Sequence, residues 1–187
     1  MGAVLVEYVN EAEPLTFEDV ASQCRIDDDD EREFIEQVVI PGVRQAAESR
    51  SGAAIRKARY LERLGSFPKD EISLSVGQVF AMDAVAIRSM SGERSTLSEA
   101  QFELIQLGRE TLLAPVSGHW PAVGAPTLTY RAGIDLDRFP SVRSWMLLAA
   151  AWAYENRELF SSGQSVVAMP GGFADALLNP ITVPPRF

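Results

Sequence analysis

The chain of 187 residues contains one cysteine, Cys24, and one histidine, His119. A single cysteine excludes an internal disulfide and any cysteine-based zinc site. A hydrolase triad or a histidine-bearing metal site would have to rest on His119, and no serine or cysteine motif accompanies it. Its setting, SGHWPAVG, reads as a loop in which the imidazole is an ordinary, partly buried polar group. Basic residues are also scarce: 17 Lys and Arg face 26 Asp and Glu, a net charge of -9. That balance argues against a nucleic-acid affinity surface, which needs clustered cations against the phosphates. The aromatic residues are scattered rather than interleaved with basic ones, so no stacking platform for single strands is evident.

Long apolar runs are missing too. A membrane span needs about 20 consecutive apolar residues. The run WMLLAAAWAY, from Trp145 to Tyr154, has ten and follows closely on Arg143. The amino terminus, MGAVLVEYVNEAE, lacks the basic region of a signal peptide. Met1-Gly2 is not followed by the Ser or Thr that myristoylation requires, since position 6 is Val. A soluble chain without a membrane partner is expected. DDDDEREF looks superficially like a calcium loop. Counted from Asp27, however, the places that need Gly and Glu hold Arg32 and Val38. SSGQSVVAMPGG fits neither a Walker loop nor a dinucleotide fingerprint. No cofactor and no metal are expected, and the chain does not read as an enzyme. Carboxylates are plentiful, but nothing pairs two of them in an apolar setting that would raise a pKa.

What is present suits one domain with one sizeable core. An apolar fraction of 47% and 23% charged residues are ordinary for a globular protein. Thr16 with Asp19 three residues on suits the start of a short helix, FEDVASQC. Asp27 to Asp30 crowd a second helix start, where exposed N–H groups favour anions. Phe34, Ile35, Val38, Val39, Val43, Ala46 and Ala47 then recur at helical spacing. Pro41-Gly42 lies inside this pattern, and an interior proline predicts a bend near Ile40. Between residues 55 and 132, IRKARYLERL, ISLSV, AVAIRSM, FELIQLG and PTLTYRAG alternate with Gly, Ser and Pro punctuation and read as a small antiparallel sheet. FELIQLG is taken as strand, with SEAQFE offering a helix start as the alternative. Pro140 opens the apolar helix, Ser161-Ser162-Gly163 closes it, and GGFADALL forms a last short helix.

The expected fold is therefore α+β and mainly helical. Residues 14–51 and 140–178 form a helical core, 55–132 a small antiparallel β insertion, and 179–187 an extended C-terminal tail. Ten successive apolar residues cover every face of a helix, which implies burial all round. Trp145, Leu148, Ala149, Trp152, Tyr154 and Arg157 are thus candidates for a helix shared between core and subunit interface, with Trp152 as a principal anchor. In the tail, Pro180, Pro184 and Pro185 prevent a helix. Nothing in the tail itself can bury Phe187, so the segment is expected to be mobile in the free subunit. It would order by adding a strand to a partner through Ile181, Val183, Pro184, Pro185, Arg186 and Phe187.

The order of these features resembles the head–tail connector (adaptor) proteins of long-tailed phages, prophages and gene transfer agents. The matching stretches are LTFEDVASQCRIDDDDEREFIEQVV, VRQAAESRSG, FPKDEISLSV, WPAVGAPTLTYRAGID, FPSVRSWMLLAAAWAYENRELF and PGGFADALLNPI. Pro41-Gly42 departs from the family's usually continuous second helix, and residues 88 to 113 match only loosely. The resemblance implies a structural virion protein at the head–tail junction, assembled in the host cytoplasm. It would form a homo-oligomeric ring, commonly a dodecamer, beneath the portal protein. Such a ring extends the DNA channel without sequence-specific binding and docks a stopper or tail-terminator protein, with the portal as leading partner for the tail. No catalytic residues carry over. The acidity suits a channel through which DNA slides without adhering. The alternatives are a small soluble enzyme or ligand-binding domain using carboxylate chemistry, and an interaction protein that forms no ring.

Overall fold

A computed structural model describes residues 2–89, 92–121, 124–156 and 171–184. The chain divides into two compact units. The first unit takes Met1–Glu11, Gly52–Ile134 and Ile181–Phe187; the second takes Ala12–Ser51 and Asp135–Pro180.

The first unit is built of strands. β1 (Val4–Tyr8), β2 (Ala58–Arg63), β4 (Val79–Arg88), β5 (Arg94–Thr96) and β8 (Ala125–Ala132) form an antiparallel sheet in the order β1-β2-β8-β4-β5. β3 (Ile72–Ser73), β6 (Phe102–Leu107) and β7 (Glu110–Pro115) form a second sheet in the order β3-β7-β6. Along β8 every second residue is buried: Pro126, Leu128, Tyr130 and Ala132. This period of two gives one face to the core and one to the outside. Register carries the same face to the neighbours, pairing Tyr60 and Met82 with Tyr130 on either side. The core face joins Val79, Val85, Leu128 and Tyr130 to Phe102, Ile72 and Leu113 of the other sheet in one apolar cluster. FELIQLG is a strand, as expected, and SEAQ supplies the capped turn before it.

The second unit holds the helices. α1 (Phe17–Cys24) starts on a capping box, with the Asp19 amide donating to Thr16 Oγ1 and the Thr16 amide to Asp19 Oδ2. The acidic stretch leads into α2 (Arg32–Phe34), a π-helical turn (Ile35–Val39) and α3 (Ile40–Ser51). The expected bend at Pro41 takes the form of that π turn. Proline offers no N–H and crowds the carbonyl four residues back. The wider turn lets the Ile40 N–H reach the Ile35 carbonyl instead. Pro140 opens α4 (Pro140–Glu155), which packs against α1 and α3. A last helix, α5, covers Gly171–Ala176. The expected closure of α4 at Ser161-Ser162-Gly163 lies outside the described residues.

The mainly helical expectation is overturned. The chain is 33% helix and 29% strand, with a largely sheet-based core. Physically, β1 is a short segment whose pairing with β2 joins residues 50 or more apart in the chain, and β5 and β7 extend the sheets by folding back on β4 and β6. The amino terminus joins the sheet through β1, which pairs with β2.

α4 also differs from the expectation in which tryptophan it buries. Trp145 is 2% exposed, whereas Trp152 is half-buried. We expect Trp145→Ala to cost about 3–5 kcal/mol, as for large buried aromatic side chains, and Trp152→Ala about 1–2 kcal/mol. Urea unfolding followed by circular dichroism ranks the two. A second expectation concerns acid. Burial pushes the Asp19 carboxyl up, but the Thr16 amide and Arg143 more than offset it, leaving it below its ordinary 3.8. A depressed carboxyl contributes stability above its unfolded value and loses it as pH falls through the folded one. The stability gap between the native chain and Asp19→Asn should therefore close as pH falls below 3.8, measured by denaturation at stepped pH.

Candidate interaction surfaces

The predicted helix residues separate into two groups once α4 is in place. Trp145 and Ala149 lie inside the helical unit. The Arg50 guanidinium stands 5.8 Å from the Trp145 ring. Leu148 is 39% exposed and belongs to the outward line Ser144, Leu148, Ala151 and Glu155. Trp152 and Tyr154 are half-buried, and the Tyr154 hydroxyl donates to Glu31 Oε2. Arg157 lies outside the described residues. Burial all round is therefore not what α4 shows. Its outer line is narrow, bounded by Ser144 and Glu155.

The described part of the tail, up to Pro184, packs onto the fold. Ile181 is 0% exposed in the single chain. Val183 packs so close to Gly77 that a Cβ there would lie 2.5 Å from Val183 Cγ2, and a Cβ on Gly52 would lie 3.5 Å from Val183 Cβ. Gly77 leaves no room for a larger residue without Val183 moving, whereas a Cβ on Gly52 would make ordinary contact. Val183 and Pro184 are half-buried, while Pro185, Arg186 and Phe187 lie outside the described residues. The physical reason is that Val183 finds a seat against Ala53 and Gly77 of its own sheet unit, where the bare glycine backbone lets it approach.

Two further surfaces were not legible in the sequence. The first is the edge strand β1, with Val4 64% and Val6 52% exposed. A bulge between Leu5 and Glu7 breaks its pairing with β2, the kind of irregularity found at sheet edges. The second is the outer face of the five-stranded sheet. Register places Arg63, Thr127, Ala86 and Thr96 in one row across four strands. The next row holds Ala125, Arg88 and Arg94. At the opposite end of the face, Arg59 and Arg131 share Asp83, at 3.2 and 2.9 Å, and Arg59 also meets Glu7 at 2.7 Å. Arg63, Arg88 and Arg94 are exposed and carry no ion pair among the described residues. Their spacing along the chain hides the cluster, which forms only when strands pair.

Charge is divided between the units. The helical unit carries sixteen carboxylates against seven basic side chains, which accounts for the whole net charge of -9; the sheet unit carries ten of each. Asp27, Asp28, Asp29 and Asp30 are all exposed. Arg32 holds Glu18, Asp29 and Glu36 at 3.0, 3.0 and 3.2 Å while its guanidinium lies 4.0 Å from the Phe17 ring. His119 is exposed, not partly buried, and its Nδ1 lies 3.1 Å from the Ser117 carbonyl within its own turn. Among the described residues no cluster of His, Cys, Asp and Glu could hold a metal ion, and no helix is long and apolar enough to cross a membrane.

No family model and no curated protein matches the chain. Solved structures do. A chain in the neck of an empty GTA particle, computed with C6 symmetry, shares the fold with a TM-score of 0.74 at 17% identity. A chain in the virion of a native gene transfer agent particle does so with a TM-score of 0.74 at 16% identity. A third, in the neck of a native GTA particle computed with C12 symmetry, gives 0.66 at 18%. Each match covers 100% of this chain and 98% of the other. What is shared at such identity is the fold, over its full length and including both units.

The carboxylate chemistry considered from sequence has one buried candidate among the described residues. Glu62 is 2% exposed. Its carboxylate accepts from the Ser75 amide at 3.0 Å, from the Ser75 hydroxyl, and from the Tyr130 hydroxyl at 2.9 Å. Burial pushes the Tyr130 hydroxyl well above its ordinary range, and the adjacent Glu62 charge adds to this, so the phenol stays a donor. The group is saturated by three donors and enclosed in the apolar cluster, which suits a clamp between β2, β8 and the segment after β3. We expect Glu62→Ala to cost about 3 kcal/mol or more, because it leaves a cavity and orphaned donors. Tyr130→Phe, which removes one bond and keeps the ring, should cost about 1–2 kcal/mol. Thermal and chemical denaturation of both variants checks the order.

Proposed function

We propose that the chain is a structural subunit of a virion neck, a head–tail connector (adaptor) that assembles into a ring beneath a portal and extends the DNA channel. The observation that carries this reading is the full-length likeness in fold to chains of gene transfer agent necks and virions. The order of motifs along the chain points the same way independently of the fold. Ring assembly of six or twelve copies is the natural reading of neighbours solved with C6 and C12 symmetry. The role is mechanical rather than enzymatic: the ring is a conduit for DNA and a seat for a stopper or tail-terminator protein. It acts in the virion after assembly in the host cytoplasm.

Within this role the tail keeps a docking function, confined to its end. Ile181 and Val183 are engaged by the sheet unit. They anchor the segment, and Pro184 to Phe187 are the part offered to the portal. Leu148 on α4 and the β1 edge are the further apolar surfaces that neighbours would cover.

Mass photometry and negative-stain imaging of the purified protein, alone and with its portal, test the ring. A chain that remains monomeric in both conditions would refute it. Deleting residues 185–187 tests the tail without removing buried Ile181. The truncated chain should keep its melting temperature and lose portal affinity by at least about tenfold, and unchanged affinity would remove the tail from the docking surface.

A further inference from the structure

The outer face of the five-stranded sheet presents an electrostatic arrangement that the single chain does not resolve. Arg88 stands directly opposite Arg94 across β4 and β5. Like charges directly opposite on one sheet face disfavour the pairing. Arg63 lies one row away on β2, beside Thr127. The residues between these arginines are small and uncharged: Ala86, Ala125, Thr96 and Thr127. A flat floor with three exposed cations is thus left uncompensated, although the chain carries nine more acidic than basic residues. On the same face Arg59 and Arg131 have their carboxylates, Glu7 and Asp83. The contrast shows that the missing counter-charge at the Arg63 end is a property of that end.

The complementary surface is on the same chain, in the other unit. Asp27, Asp28 and Asp30 are exposed and carry no ion pair among the described residues. They belong to the unit that holds all of the net negative charge. A closed ring of identical chains requires two different patches per subunit, one meeting the other on the next copy. We propose that the arginine face of one subunit, Arg63, Arg88 and Arg94, docks the Asp27–Asp30 segment of the adjacent copy. The inference rests on the ring reading above and assigns the two halves of its repeating contact. A polyanion such as DNA could meet the same arginines, but charge complementarity within the chain favours a second copy. The exposed aromatic of this face, Phe80, stands beside Arg131 at the opposite end, and three arginines without a stacking platform among them make a poor nucleic-acid surface.

The test uses paired charge reversal in the full chain. One variant carries Arg63→Glu, Arg88→Glu and Arg94→Glu. The other carries Asp27→Lys, Asp28→Lys and Asp30→Lys, leaving Asp29 on Arg32. Circular dichroism melts establish that both fold; if the first does not, Arg→Gln at the three positions replaces it in the single-variant test. Each variant alone should lose self-association by on the order of 100-fold in the apparent dissociation constant. An equimolar mixture should assemble again, because each altered face then meets a complementary segment. Native assembly should weaken as salt rises.

Native rings together with unaltered assembly of either variant would overturn the inference while the ring reading stands. A native chain that never assembles, alone or with its portal, would remove both. Native rings and monomeric variants that fail to co-assemble would also overturn the pairing of these two surfaces. Retention of a short DNA duplex by the native chain, lost in the arginine variant without change in assembly, would assign the face to nucleic acid and reject the second copy.

Discussion

The pairing of β8 with β2 on one side and β4 on the other is the constraint from which the rest of the sheet unit follows. A strand held on both edges cannot slip by one residue without sending Leu128 and Tyr130 outward and Thr127, Thr129 and Arg131 into the core. That single register decides where three chemically different things go. It puts Glu62 on the core face within reach of Tyr130 and Ser75. It puts Arg59 and Arg131 beside Asp83 on the outer face. It also brings the end of β8 so close to the chain before β2 that a Cβ on Gly133 would meet Lys57 Cα at 2.6 Å, at a φ of 149° that other residues rarely adopt.

The helical unit solves a different problem. Pro41 in the first turn of α3 follows directly on the helical turns before it, where an uninterrupted α-helix would lose a hydrogen bond and clash. The π turn at Ile35–Val39 absorbs both defects and keeps Ile35, Val39, Ile40 and Val43 buried. Arg44 is buried in the same unit and is neutralised by Glu13 at 2.6 Å and Glu48 at 2.8 Å. This buried charge is therefore paired, while Asp27, Asp28 and Asp30 stand at the surface. The same holds for the sheet unit, where Glu62 is satisfied and Arg63, Arg88 and Arg94 are not. On the proposed reading as an assembly subunit, unmet charge belongs outside, where a neighbour supplies the missing half.

Several elements were legible from local chemistry alone. Thr16 and Asp19 specify the start of α1 because the capping box needs only those side chains and their own amides. Pro140 marks the start of α4 because its fixed φ and absent N–H suit that position. PTLTYRAG gives β8 by strict alternation.

What the sequence by itself determined is the set of elements whose signals are complete within a few residues: caps, breakers and alternation. What only the tertiary structure decided is everything that depends on partners far apart in the chain. β1 is a strand because β2, 50 or more residues on, completes its ladder, and β8 joins β2 and β4 into one sheet, which turned an expected helical fold into one with a sheet-based core. Trp145 rather than Trp152 is the deep anchor because α1 and α3 cover one side of α4 and not the other. Val183 is seated against Gly77 because only a residue without a side chain lets it come so close, and the two stand more than 100 residues apart in the chain. Arg63, Arg88 and Arg94 form one charged surface because antiparallel register sets residues from three strands side by side, and spacing along a chain carries no trace of that.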